Sequence, residues 1–357
     1  MDELDSKTVL TNYDKAGMLK ILDGFPCQCQ EAIKLGNNFD PRLPYGIKQV
    51  VICGMGGSAM AGEVARRFSQ IPLFVNRSHD LPPFTDRHTL LIAVSYSGNT
   101  TETISALKSG IEKGVFAVCL SSGGEIGRIA NAHGLPLLKI PAGYQPRAAL
   151  GYLAISLVTT LIEAQILTDI GRREALFSEL DRVRTQCTHT VGATTNPAKN
   201  LARHLFGKLP LVYGTVNNTD LVAMRWKTQI NENAKQPAFW NAFPELNHNE
   251  ILSMVKKEYA QSLFVILLEN HYDKQENLLR MQIMQSLFKD HSVGFRRVTA
   301  SGETELAQLI SQIYFGDYVS FYLALLNQVD PTPVTLIEEF KKELLLRQSN
   351  SIRYTGQ

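Results

Sequence analysis

Ile47-Lys-Gln-Val-Val-Ile-Cys53 runs directly into Gly54-Met55-Gly56-Gly57-Ser58-Ala59. A β-branched run that ends in glycines reads as a buried strand entering a tight turn. A helix from about Ser58 to Phe68 follows. The rhythm then repeats: strands Leu73–Asn76 and Thr89–Val94, helix Thr100–Glu112, strand Val115–Leu120, a helix near Glu125–Ala132 and strand Leu135–Ile140. Strands alternating with helices specify an α/β fold built on a parallel, doubly wound sheet. Upstream, about Leu10 to Leu35 reads as helical. Downstream, Arg147 to about Thr190 reads as a helical bridge, with apolar residues at Leu150, Leu153, Leu157 and Leu161. A second α/β unit comes after it: strand Leu209–Tyr213, helix Ala223–Glu232, strand Leu263–Leu268, helix Gln275–Phe288, strand Val293–Val298, and long helices Thr304–Asn327 and Val334–Leu346. The Asp330-Pro-Thr-Pro333 break stops one of these helices and starts the next. The expectation is two doubly wound lobes with parallel sheets flanked by helices, plus N-terminal helices and a C-terminal helix. The first unit would span residues 1–168 and the second 169–357.

Composition agrees with this plan. A chain of 357 residues, 44% apolar and 20% charged, is globular and long enough for about two domains. Its net charge is +2, and no Lys/Arg tract is long enough for a basic patch, so neither nucleic acid nor acidic lipid is expected as a partner. The longest uncharged stretch, Ala148 to Ile162, falls short of the roughly 18 to 20 residues that cross a bilayer, so no membrane span is expected. The N-terminus is acidic where a signal peptide is basic, which points to the cytoplasm. Five cysteines, an odd number in apolar context, do not form a secreted disulfide framework. Cys27 and Cys29 sit two apart on a helix and do not face each other. With neither H-E-x-x-H nor C-x-x-C present, no metal is expected.

The first glycine turn fits G-x-G-x-x-A, which also occurs in dinucleotide-binding proteins. That use demands an acid about 20 residues on, at the end of the second strand, where this chain has Val75-Asn76-Arg77-Ser78. What remains is a turn whose backbone lets a phosphate approach the unpaired N–H groups of a helix start. The third strand ends in a similar way, at Val94-Ser95-Tyr96-Ser97-Gly98-Asn99-Thr100-Thr101-Glu102. Thr100 alone would be explained as a helix cap. Two glycine–hydroxyl turns at carboxyl ends of parallel strands, however, converge on one crevice of a doubly wound sheet. They read together as a monophosphate pocket.

Gly54-Met-Gly-Gly-Ser58 and Ser95-Tyr-Ser-Gly-Asn-Thr100 resemble the sugar-isomerase (SIS) fold. Together with Pro146-Arg-Ala-Ala-Leu150, Asn231-Glu-Asn-Ala-Lys235 and Pro244-Glu-Leu-Asn-His-Asn249, they make the chain resemble the bifunctional phosphoglucose/phosphomannose isomerases from about Gln49 to Leu346. The resemblance implies that Ser58, Ser95, Ser97 and Thr100 hold the substrate phosphate, that Gly57 belongs with them to the substrate-binding residues, and that Arg147, Glu232 and His248 are catalytic. It also implies that the ring-opening histidine comes from a neighbouring subunit, so that a homodimer carries its active site at the interface.

These residue types suit the implied chemistry. Moving a proton between C1 and C2 of a sugar phosphate through a cis-enediolate needs a base, a charge stabiliser and a ring opener, and no cofactor. A carboxylate such as Glu232 shuttles the proton where burial moves its titration toward neutral pH. A fixed cation such as Arg147 stabilises the developing enediolate oxygen. A histidine, here His248, protonates the ring oxygen. Taken singly, Glu232 reads as a solvated helix residue, Arg147 as a surface ion pair and His248 as unremarkable. One departure stands out: some relatives have a lysine in the last long helix of the second lobe where this chain has Tyr322, which brings a hydrogen-bonding phenol to the substrate but no charge.

The expected function is interconversion of glucose 6-phosphate and mannose 6-phosphate with fructose 6-phosphate. The alternatives are an SIS isomerase for another phosphosugar, or a sugar-phosphate sensor that could dispense with Glu232 and His248. The apolar faces of Leu150–Ile162 and Thr304–Asn327 are expected to exceed what two lobes cover, and so to bury against a second chain.

Overall fold

The structure, a computed structural model, describes residues 2–254 and 256–354. Three helices open it: α1 (Lys7–Tyr13), α2 (Met18–Asp23) and α3 (Phe25–Asn37). The single helical region expected from Leu10 to Leu35 is thus broken. The Asp14 carboxylate accepts the N–H groups of Met18 and Leu19 at the start of α2, and Gly24 separates α2 from α3.

The first sheet contains β1 (Gln49–Cys53), β2 (Leu73–Asn76), β3 (Thr89–Val94), β4 (Phe116–Ser121) and β5 (Leu137–Lys139), with α4 (Gly56–Arg67), α5 (Thr101–Glu112) and α6 (Gly124–His133) between them. Its order is β2-β1-β3-β4-β5, and every pairing is parallel. Both faces are covered, which is why β1 and β3 are apolar runs and do not alternate with polar residues. Val50 and Ile52 of β1 face the main core, while Val51 and Cys53 face a smaller cluster with Leu107 and Ile126.

After β5 the chain makes a 3-10 turn at Pro146–Ala149, a π turn at Gly151–Ile155 and α7 (Ser156–Glu163). The expected continuous bridge from Arg147 to Thr190 is interrupted before α8 (Arg173–Cys187), where Gln165 and Gly171 take left-handed backbone angles that no helix continues through. Then follow α9 (Pro197–Leu205), β6 (Leu209–Thr215), α10 (Asp220–Ala234), β7 (Phe239–Phe243), α11 (Lys257–Ala260), β8 (Leu263–Glu269), α12 (Gln275–Asp290), β9 (Gly294–Thr299), α13 (Glu305–Leu326) and α14 (Thr335–Tyr354). The second sheet is parallel, in the order β7-β6-β8-β9. Its edge strand β7 was not expected from the sequence. Phe239 and Trp240 are exposed there, so the segment shows neither the buried run nor the alternation by which strands are read.

The core helix α13 packs on α10, α8, α9 and α2, and one continuous core joins both sheets through it. By length and composition α13 could cross a membrane, but 94% of its most apolar window is buried inside the chain. The stretch Leu150–Leu161 is also buried within the chain. The two apolar faces expected to need a second subunit are therefore already covered. Apolar surface is exposed instead on α14, at Leu336, Ile337 and Phe340.

An ion pair crosses the α10–α13 contact. Arg225 binds Asp317 through Nε and Nη2 at 3.2 and 3.0 Å, with both side chains at least 96% buried. Removing one partner strands a buried charge, so Asp317→Ala should cost about 3–5 kcal/mol. Arg173→Ala, which breaks the exposed Glu163 pair, should cost less than about 1 kcal/mol. Urea denaturation of both variants checks the contrast, and equal losses would refute it.

Candidate active site

The strand order reverses between β1 and β3, and in an open α/β sheet the ligand crevice lies at that point, beyond the carboxyl ends of the strands. Both glycine–hydroxyl turns are located there, one leading from β1 into α4 and the other from β3 into α5. Gly98, at φ +70°, folds the second turn so tightly that a Cβ would lie 1.8 Å from the Gly123 carbonyl oxygen. The loop is further pinned by the Asn99 side chain, whose Oδ1 accepts the Glu125 N–H at 3.1 Å.

The hydroxyls are arranged to donate. Ser58 Oγ accepts the Tyr96 N–H (3.3 Å), Ser95 Oγ accepts the Gly98 N–H (3.1 Å) and Ser97 Oγ accepts the Asn99 N–H (3.3 Å). Ser95 and Thr100 share one hydrogen bond of 2.9 Å. Each oxygen thus takes a proton from a neighbour, and among the described residues the Ser58 and Ser97 protons, and one of the Ser95/Thr100 pair, have no acceptor. Thr100 occupies the N-cap position of α5, yet its side chain makes no capping bond, and α4 likewise starts without a side-chain cap. Free O–H groups and uncapped helix N–H groups on one crevice call for a ligand rich in acceptor oxygens.

Gly57 links this pocket to the charged residues. A Cβ on it would sit 3.0 Å from the Pro146 carbonyl oxygen and 3.4 Å from Arg147 Cα, so its bareness lets the 3-10 turn lie against the start of α4. From there the Arg147 side chain, 4% exposed, runs into the second lobe. Its Nε donates to Asn233 Oδ1 (2.7 Å), and Nη2 donates to the carbonyls of Pro331 (2.7 Å) and Thr332 (2.8 Å). Nη1 lies 3.7 Å from Glu232 Oε2. Burial lowers the guanidinium pKa, and the Glu232 carboxylate opposes that shift. The Glu232 side chain is 30% exposed, so it borders solvent and the buried cation together.

Several groups that hold this arrangement were not singled out from the sequence. Asn233 is fully buried and donates to Ser320 Oγ at 3.0 Å, which fixes the amide that receives Arg147. Arg225 Nη2 donates to the Arg147 carbonyl at 2.7 Å. Lys235, in a left-handed turn at the end of α10, donates to the carbonyls of Glu232 (2.5 Å) and Pro331 (3.2 Å). Burial of its amine, and then Arg147, lower its pKa. The signal in the sequence for Asn233 and Lys235 is the run Asn231-Glu-Asn-Ala-Lys235, in which the glutamate alone has an evident chemical use. Asp330-Pro-Thr-Pro333 was read only as a helix break, although its carbonyls are ligands for a guanidinium.

The structure does not bring the other two predicted residues to this place. Tyr322 is fully buried and donates to the Cys187 carbonyl at 2.6 Å. Its ring also lies 5.3 Å from the Lys199 amine, in the core and not in the crevice. The expectation that Tyr322 meets substrate is corrected: α13 is buried on every side, and this phenol donates, together with Asn196 Nδ2, to the Cys187 carbonyl at the end of α8. His248 ends a 3-10 turn after β7, is exposed, and makes no hydrogen bond to a described residue. Glu232 lies near the end of α10, which returns to the amino edge of the sheet, whereas His248 lies past the carboxyl edge. The five-residue strand β7 separates them by about 16 Å.

The equivalent crevice of the second sheet, at the ends of β6 and β8, is filled by the chain's own acid. Asp273 accepts from Asn218 Nδ2 (2.6 Å), from the Asn270 N–H (2.7 Å) and from the Thr215 hydroxyl. Burial raises its pKa.

The fold and this crevice define an SIS-type protein. The C-terminal domain of glucosamine-fructose-6-phosphate aminotransferase from Francisella tularensis matches with a TM-score of 0.68 at 16% identity, covering 88% of this chain and 97% of that one. Residues 194–344 match the model for the bacterial phospho-glucose isomerase C-terminal SIS domain. A bifunctional phosphoglucose/phosphomannose isomerase of Caldicellulosiruptor bescii is 39% identical over 334 residues, covering 92% of this chain and 98% of that protein. The chain belongs to the bifunctional phosphoglucose/phosphomannose isomerase family. A D-glucosamine-6-phosphate 4-epimerase of Sulfolobus acidocaldarius is 32% identical over 230 residues, covering 64% of this chain and 71% of that protein.

Asn233→Ala would leave Arg147 Nε and the Ser320 hydroxyl short of a partner in a buried site. It should cost about 1–3 kcal/mol of stability, and the Arg147 guanidinium would lose its fixed orientation. Thermal denaturation together with a crystal structure of the variant checks this, and an unchanged Arg147 rotamer with unchanged stability would count against it.

Proposed function

We propose that this chain is an aldose–ketose isomerase that interconverts glucose 6-phosphate and mannose 6-phosphate with fructose 6-phosphate, through a cis-enediolate and without a metal or cofactor. The observation that carries the reading is the coupling of two parts through Gly57: a crevice of free hydroxyl protons and uncapped helix starts, and a buried guanidinium beside a partly exposed carboxylate. Ser58, Ser95, Ser97 and Thr100 hold the phosphate. Glu232 moves the proton between C1 and C2. Arg147 is already desolvated and held by three hydrogen bonds, so it needs little reorganisation to stabilise charge on the enediolate oxygen.

In this reading His248 opens the sugar ring in the site of a second chain, because its own Glu232 lies a strand length away. The working unit is then a homodimer with the active site at the subunit interface. Each chain divides near residue 168 into two lobes, and the enzyme works in the cytoplasm as part of sugar-phosphate metabolism such as glycolysis. A second reading, another reaction on an amino-sugar phosphate, draws support from the relative named as an epimerase.

A coupled assay for fructose 6-phosphate, run in EDTA on glucose 6-phosphate and mannose 6-phosphate separately, should show turnover of both. Turnover of neither would favour the second reading. Glu232→Gln should bind sugar phosphate while kcat falls by about 10²–10⁴. Ser97→Ala should raise KM with the fold intact. Isomerisation in deuterated water should place deuterium at C2 of the aldose, and its complete absence there would argue against a proton shuttle. Light scattering that found full activity in a species with the mass of one chain would exclude His248 acting from a partner.

A further inference from the structure

The two sheets share one winding, but the first has five strands and the second four. Among the described residues, no strand takes the place beside β9 that β5 holds beside β4. Along that open edge, between β9, α8, α9 and the first turns of α13, lies a cleft of about 490 Å³, within the size range of small-molecule sites. Arg182, Arg296, Arg297 and His204 line it, and among the described residues no carboxylate side chain does.

Two of the three arginines are already neutralised. Arg182 pairs with Glu179 at 2.6 Å, and Arg297 pairs with Glu269. Among the described residues Arg296 has no acidic partner, and the only hydrogen bond of its side chain runs from Nη2 to His204 Nε2 at 3.2 Å. An arginine can only donate, so that nitrogen of His204 accepts and the ring is neutral. Burial and the adjacent Arg296 both lower the His204 pKa, which agrees with this. His204 is also held flat against Phe264, with ring centroids 5.5 Å apart.

The cleft contains a second unmet demand. Gln312 is 2% exposed, and its Nε2 donates to the carbonyls of Glu269 (3.1 Å) and Val298 (2.8 Å), which fixes the orientation of the amide. Its Oε1 is buried without a hydrogen-bond partner among the described residues. A buried acceptor of this kind calls for a donor. Arg296 and Val298 share one face of β9, so the strand position that carries the free guanidinium and the one whose carbonyl holds the Gln312 amide are roughly 7 Å apart along the strand.

We infer that this cleft is a second ligand site, separate from the isomerase crevice, which takes a small hydroxylated anion: a phosphate or carboxylate on Arg296 and a hydroxyl proton on Gln312 Oε1. A three-carbon hydroxy acid phosphate carries both the anionic groups and the hydroxyl that these two residues call for.

D-glycerate 3-phosphate serves as the probe. Calorimetry on a Ser95→Ala/Thr100→Ala chain, whose first crevice is disabled, should still show binding, and adding Arg296→Gln should weaken it at least tenfold. In the wild-type protein, phenylglyoxal should modify Arg296, and the probe should slow that modification as read by peptide mass spectrometry. No binding to the doubly substituted chain, undiminished binding after Arg296→Gln, or no protection of Arg296 would each overturn the inference. None of these outcomes bears on the isomerase reading, which depends on turnover.

Discussion

A buried cation holds this molecule together at its centre. Stripping a guanidinium of water costs several kcal/mol unless its N–H groups are met, and two separate parts of the chain meet Nε and Nη2 of Arg147. Asn233 belongs to the helix of the second lobe, Pro331 and Thr332 to the break after α13, and the Arg147 backbone rests on Gly57 at the mouth of the first lobe. Each segment must be in place for the charge to be tolerated. The same condition points the remaining nitrogen at Glu232.

The arrangement resolves a difficulty that neither lobe could solve alone. The first doubly wound sheet provides helix starts and hydroxyls suited to a phosphate. The second lobe has the carboxylate and lacks an open crevice, because Asp273 occupies the corresponding place with an acid from its own chain. In the proposed reading, chemistry at a sugar phosphate needs both parts at a fixed separation, and the cation that spans the lobes sets it.

Much of this was legible in the sequence, for identifiable reasons. The apolar runs at Val50–Ile52 and Leu90–Val94 are buried on both faces, and such strands show plainly in a sequence. The hydroxyl turns were readable because glycine and serine at a strand end have few other uses. Strand β7 was hidden by its exposed aromatics, and the breaks in the N-terminal and bridging helices by single residues at left-handed or capping positions. Tyr322 was misjudged because position along a helix does not say which face looks inward, and α13 has no outward face. The partners of Arg147 were invisible for another reason. Two of them are backbone carbonyls, which every residue possesses and no residue letter marks.

The ties that cross between the lobes also limit how the protein can move. Besides Arg147, the Arg225 side chain holds the Arg147 carbonyl, and Arg67 of α4 pairs with Glu305 of α13. A jaw-like swing of one lobe away from the other would leave a guanidinium in a dry interior without its carbonyls, at a cost of about 3–5 kcal/mol, so that on the order of one chain in several hundred or fewer would be open. Under the proposed reading, the fit of a ligand in the crevice beside the exposed Ser97 and Asn99 depends on the stiffness of the frame more than on closure around it.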